Sequence, residues 1–209
     1  MGPLRRRLTN RFVRRAAVES IAWQTAYTRV QAATLDANDL AVYTRLERRR
    51  RRRPNVAGYF LPTPIGNILR AAERRPADKY GLDVIVVWPH LWLILPEDAR
   101  VELRAAGSSL NASVAAAIWG VLFCVFAAFT WLAIPIGLGV AAVAVGVATP
   151  GRAEAFGDLV EAAFDLHRTA VYRQLRWPLP ATPKDEHLSG RQLTAYLRRG
   201  SDNDTPTFT

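Results

Sequence analysis

At 209 residues and 23.2 kDa the chain has room for one ordinary domain beside a membrane segment. Its formal net charge is +10, and residues 1–60 hold fourteen Arg against four acids while residues 61–209 hold fourteen Lys plus Arg against fourteen acids, so the whole excess is N-terminal. One cysteine, Cys124, excludes a disulfide framework within the chain and a cysteine-based metal site.

Residues 1–53 form an Arg-rich arm. No apolar run follows the basic start, because Arg11, Arg14, Arg15 and Glu19 interrupt it, so no secretory signal is recognisable. Arg6 stands where myristoylation after Met1-Gly2 requires Ser or Thr. Leu8, Phe12, Ala16 and then Trp23, Tyr27, Val30 recur at helical spacing, which predicts a basic amphipathic helix ending near Leu35. Asp36 to Asp39 offers N-cap chemistry for a second helix from about Leu40. That helix runs into six consecutive arginines, Arg48, Arg49, Arg50, Arg51, Arg52 and Arg53, and Pro54 ends it. Each basic side chain near an anionic leaflet contributes on the order of 1 kcal/mol, so the block is expected to hold the arm against anionic lipids. Nucleic acid is a weaker expectation, since no base-reading module accompanies the charge.

Residues 54–110 form a juxtamembrane segment. Thr63 at an N-cap and Pro64 at the first helical position predict a helix from Leu61 to Glu73, stopped by Pro76. Leu82 to Trp88 is apolar and β-branched, which predicts a short strand; the longer run Val84 to Leu95, broken by Pro89, has the length of a re-entrant or interfacial segment. Trp88 and Trp92 suit a membrane interface. A helix from Glu97 to Leu110 is expected to lead onward.

From Ala105 to Gly151 there is no Asp, Glu, Lys, Arg or His. As one helix the apolar centre, Ala112 to Ala148, would measure about 55 Å against a hydrocarbon core of about 30 Å. Residues 111–149 therefore predict a transmembrane helical hairpin, with spans from Ala112 to Leu132 and Ile136 to Thr149 and a reversal at Pro135, Gly137 and Gly139. A buried hairpin in a soluble protein would show a polar stripe, and this run has none.

Residues 150–178 predict an amphipathic helix, Arg152 to Arg176, with Phe156, Leu159, Val160, Ala163, Phe164, Leu166, Ala170 and Leu175 as its apolar side and Pro178, Pro180 and Pro183 as its stop. Residues 179–209 predict a short helix from His187 to Arg199 and a flexible tail. Arg100 and Arg104 before the hairpin balance Arg152 and Arg168 after it, but both ends of a hairpin lie on one side and its turn carries no charge. A multi-pass protein of the cell inner membrane with both termini cytoplasmic is therefore expected.

The strings LPTPIGNILRAAE, KYGLDVIVVWPHLW, LRWPLP and GRQLTAYLRRG resemble a family of uncharacterised multi-pass membrane proteins of actinobacterial type. There a LPTRLGN-like helix start and a WPRL-like element lie in a soluble segment between two hydrophobic hairpins. Pro64 and His90 stand where that pattern has Arg, and the Arg-rich arm takes the place of the first hairpin. The resemblance implies a membrane fold and no activity.

Chemistry-bearing patterns are sparse: no phosphate-binding Gly loop, HExxH, CxxC or GxSxG occurs. His90, His167 and His187 are far apart, Asp165 and His167 point to different helix faces, and the helix dipole accounts for Asp158 and Glu161. No catalytic, cofactor or metal residue is assigned. The expectation is an all-α membrane protein, a hairpin with cytoplasmic amphipathic helices, serving as a non-enzymatic scaffold or accessory subunit. A homo-oligomer or membrane partner protein would complete it. The alternatives are an oligomeric channel or transporter component, for which Ala116/Gly120 and Ala142/Gly146 offer small-residue contacts, and a basic nucleic-acid binder.

Overall fold

The computed structural model describes residues 3–32, 37–200 and 207–208; the expected helix end at Leu35, the Asp36 cap and most of the tail lie outside them. The described residues form helices and connecting turns, with no strand among them. The chain divides into two compact units, residues 1–72 and 73–209.

In the first unit α1 (Pro3–Gln31) and α2 (Ala37–Arg51) pair. Trp23 meets Glu47 and Arg50, Glu19 meets Arg53, and Tyr27 meets Tyr43, so partner numbers fall on one helix as they rise on the other and the two run antiparallel. After a 3₁₀ turn at Ala57–Tyr59, α3 (Pro64–Tyr80) begins as the sequence predicts. Thr63 Oγ1 accepts from the Gly66 N–H at 3.2 Å. The buried Asn67 side chain accepts from the Leu61 N–H at 2.7 Å and donates to the Leu61 carbonyl at 3.1 Å. LPTPIGN is thus a self-contained helix start, each polar member of which satisfies a group that would otherwise be orphaned.

Pro76 does not stop α3. It stands fully buried inside the helix, and the missing N–H removes one bond in a helix already held from both sides of that point. The true terminator is Gly81 with φ +72°, whose N–H bonds back to the Ala77 carbonyl at 3.0 Å.

In the second unit the expected strand is replaced by α4 (Val84–Ile94). Asp83 caps it, accepting from the Ile85 N–H at 3.0 Å, and Val87, Leu91 and Leu95, four apart, are all buried. That spacing belongs to a helix seam; a strand would have alternated. Pro89 is accommodated on the exposed side with Ile85 and Leu93. α5 (Glu97–Phe123) then rises into the apolar stretch and continues as 3₁₀ turns over Cys124–Ala128.

The reversal comes earlier than expected, at Phe129 to Leu132. Pro135 lies in the first turn of α6 (Ala133–Val143), where a missing N–H removes no intrahelical bond. Gly137 and Gly139 are helical. α6 passes through a π-helical turn, Ala144–Ala148, into α7 (Thr149–Gln174), and Thr149 Oγ1 donates to the Ala144 carbonyl at 2.8 Å to satisfy the widened turn. Two continuous helical runs, Glu97–Ala128 and Ala133–Gln174, are therefore long and apolar enough to cross a membrane.

Leu166 is 74% exposed and does not belong to the apolar face expected of α7; Val160, Phe164, Val171 and Tyr172 carry it. α7 ends at Arg176, φ 54°, with the Trp177 N–H on the Tyr172 carbonyl and the Arg176 N–H on the Arg173 carbonyl, a Schellman arrangement that precedes the prolines. Pro183 opens a helix instead of closing one: α8 (Pro183–Arg199) starts behind the Thr182 cap. Leu82, Leu103, Trp177 and Leu193 complete the core with α4 and α7.

Candidate functional site

The six arginines divide between two faces of α2 and the turn after it. The Arg50 guanidinium lies 4.0 Å above the Trp23 ring, Arg53 pairs with Glu19 and donates from Nε to the Arg49 carbonyl at 3.1 Å, and Arg49 stands 4.0 Å from Glu19. Trp23 itself donates to Glu47 at 2.6 Å and stacks on Tyr27 at 5.1 Å. Arg50 and Arg53 are therefore committed to α1, while the Arg49 side chain stays 57% exposed. Arg45, Arg48, Arg49 and Arg52 share an outward face with Leu40, Ala41 and Thr44. Arg51 is likewise exposed.

Trp88 and Trp92 both rest on the core of the second unit. Trp88 lies 6.2 Å from Phe164 and 5.8 Å from Trp92, whose other neighbour is the Arg104 guanidinium at 5.8 Å. Phe164 stands fifteen positions beyond Thr149, about 22 Å along α7.

The densest polar constellation was not expected from the sequence. Asp158, Glu161 and Asp165, at i, i+3 and i+7 of α7, face Arg75 and Lys79, at i and i+4 of α3. Arg75 Nη1 reaches Asp158 at 2.6 Å and Glu161 at 2.9 Å; Lys79 pairs with Glu161 and with Asp165 at 3.2 Å. Asp158 is the tenth residue of α7, beyond reach of the helix dipole, so the cation opposite and not the helix terminus explains these carboxylates. Tyr80 donates to Asp165 at 2.6 Å under the Arg168 guanidinium, 4.1 Å above its ring, and Arg168 Nε continues to Glu186 of α8 at 2.6 Å. The matching periods on α3 and α7 were the available signal.

Burial alone would lower the Lys79 pKa, but its hydrogen bonds to Glu161 and Asp165 outweigh that and hold it above the ordinary lysine value. Burial raises Tyr80, and its bond to Asp165 adds to the rise. Burial also pushes the Tyr172 phenol up to about 12, and Glu186 contributes in the same direction. Among the described residues Tyr172 Oη has no hydrogen-bond partner. Glu161 is 6% exposed and held by two cations, so the arrangement is a clamp that ties α3 and α8 to α7. Among the described residues no three His, Cys, Asp or Glu side chains are placed to hold a metal ion.

The apolar hairpin closes on backbone contact. A Cβ on Gly120 would lie 2.8 Å from the Gly137 carbonyl oxygen and 2.9 Å from the Ala141 nitrogen. Gly120 is thus committed within the chain, while Gly146 faces open space. The hydroxyl of buried Ser113 donates to the Leu110 carbonyl at 2.7 Å, and that of buried Thr149 to its own helix as described. Outside these contacts the surface is bare: Phe129 is 88% exposed, Trp131 74% and Trp119 70%.

No family model matches this chain, and none of the curated proteins or solved structures compared with it matches either.

Proposed function

We propose that this chain is an integral membrane protein of the inner membrane: α5, α6 and the start of α7 cross the bilayer as a hairpin, and the remaining helices form a cytoplasmic scaffold or accessory platform. One observation carries the reading. Only 17% of the apolar window of the first helical run and 28% of the second is buried, so little among the described residues covers the hairpin. A helix that is apolar all round and uncovered needs hydrocarbon as its solvent. The buried hydroxyls of Ser113 and Thr149 already bond to their own helices, as that medium requires.

Arg45 and Arg48 are exposed side chains of the arm on the face offered to anionic lipid, whereas Arg50 and Arg53 act by holding α1 to α2. Phe129 and Trp131 at the hairpin tip suit the far headgroup boundary, and Trp92 beside Arg104 stands nearer the membrane than Trp88 does. Flotation on liposomes after an alkaline carbonate wash tests the reading. The protein should remain with the vesicles, because Cys124 is the one ionisable side chain of the hairpin. Release of the chain into the wash would overturn it.

A further inference from the structure

Between the end of α3 and the outer face of α8 lies an open groove of about 620 Å³, lined by Arg74, Arg191, Arg198 and Arg199 with His187 at one end. Its volume falls in the range of roughly 300–1,000 Å³ usual for small-ligand sites. Only Asp78 and Asp83 oppose the four guanidinium groups, which leaves a local charge of 4 − 2 = +2. Arg74 meets Asp78 at 3.5 Å and Arg198 meets Asp83 at 2.7 Å, whereas Arg191 and Arg199 have no ion-pair partner among the described residues.

The floor is rigid and internally satisfied. Thr194 Oγ1 donates to the Gly81 carbonyl and accepts from the Asp83 N–H, both at 3.2 Å. The helices touch through backbone here: a Cβ on Gly81 would stand 2.9 Å from the Arg191 nitrogen, and one on Gly190 would run into the Tyr80 carbonyl. Two glycines therefore fix where Arg191 is presented, and the helical spacing of Arg191, Arg198 and Arg199 brings the other two to the same rim. Guanidinium forks match the paired oxygens of phosphate groups, and the groove gathers four of them. No Phe, Tyr or Trp side chain is among the groove's lining residues.

We propose that this groove binds a compact anion carrying two phosphate groups. The choice of a soluble source over a lipid headgroup rests on the membrane reading above. Asp165, which receives Lys79 and Tyr80 immediately before the groove, lies sixteen positions from Thr149, about 24 Å along α7. Headgroups extend only about 5–8 Å beyond the hydrocarbon on each side.

The test uses the full chain in nanodiscs of neutral phosphatidylcholine, titrated with inorganic pyrophosphate by calorimetry. Saturable binding is expected, weakened about tenfold or more when Arg191→Gln and Arg199→Gln are combined, since each removes charge-assisted hydrogen bonds. Arg173→Gln, an exposed cation elsewhere on α7, should leave the affinity unchanged. Absence of saturation at millimolar pyrophosphate, or an equal loss with Arg173→Gln, overturns the site. Repeating the titration in discs containing phosphatidylglycerol distinguishes the source: unchanged affinity supports a soluble ligand, and competition that the double variant abolishes replaces it with a lipid headgroup. Flotation is read separately, so failure of the groove and failure of the membrane reading remain distinct results.

Discussion

Tyr172 is the side chain with the clearest titration consequence. It is 1% exposed, its hydroxyl has no partner among the described residues, and its phenol is pushed up to about 12. An unfolded tyrosine titrates near 10, so the stability that the neutral phenol confers is complete below that pH and is lost as pH rises through about 12. Tyr80 and Lys79, both raised, add losses in the same alkaline direction, from about 10 upward for the phenol and from 10.5 upward for the ammonium. Tyr172→Phe is therefore expected to flatten the fall in stability between pH 10 and pH 12 by on the order of 2 kcal/mol, and to change it at pH 7 by less than about 1 kcal/mol. Denaturant titrations of the solubilised protein followed by circular dichroism would measure both. An unchanged alkaline profile would mean that this phenol does not govern it.

Among the elements, the α5–α6 pair depends on the absence of two side chains. Backbone atoms crowd the position where Gly120 would carry a Cβ, whereas Gly139 looks onto open space. Gly120→Ala must push the helices apart and should destabilise the hairpin by about 1–3 kcal/mol, as overpacking does elsewhere. Gly139→Ala should be neutral or stabilise its helix by up to about 1 kcal/mol. The midpoint of unfolding in SDS reads both, and equal responses would refute the contact. The elements also show where prolines mislead. Pro76 and Pro89 sit inside helices and Pro135 and Pro183 near helix starts, so none ends the element it was expected to end. Gly81 and Arg176, both with positive φ, are the terminators instead.

For the molecule as a whole, the segment from Ala112 to Ala128 gives about 25 Å of helix, close to a hydrocarbon core of about 30 Å, so the proposed reading puts the turn at Phe129 to Leu132 at the headgroup boundary. The proposed orientation, with both flanks on the cytoplasmic side, rests on a hairpin whose turn carries no charge. In a Cys124→Ala background, a Thr130→Cys variant should react with an impermeant maleimide on intact cells, and a Lys184→Cys variant only after permeabilisation. The reverse pattern would sink the assigned orientation.

Apolar periodicity and charge absence are local properties, and by themselves they determined the paired apolar helices, the amphipathic α7, the capped start of α3 and the helices of the arm. Partnership is not local. A strand and a helix of Val84 to Leu95 differ only in what their side chains meet, and α7 and α8 settled it by burying every fourth residue. Whether Arg50 meets lipid or Trp23, whether Glu161 answers a helix dipole or two cations, and whether Arg191 faces a groove all depend on a second segment far away in sequence. Only the folded chain brings those partners within the few ångströms over which such forces act.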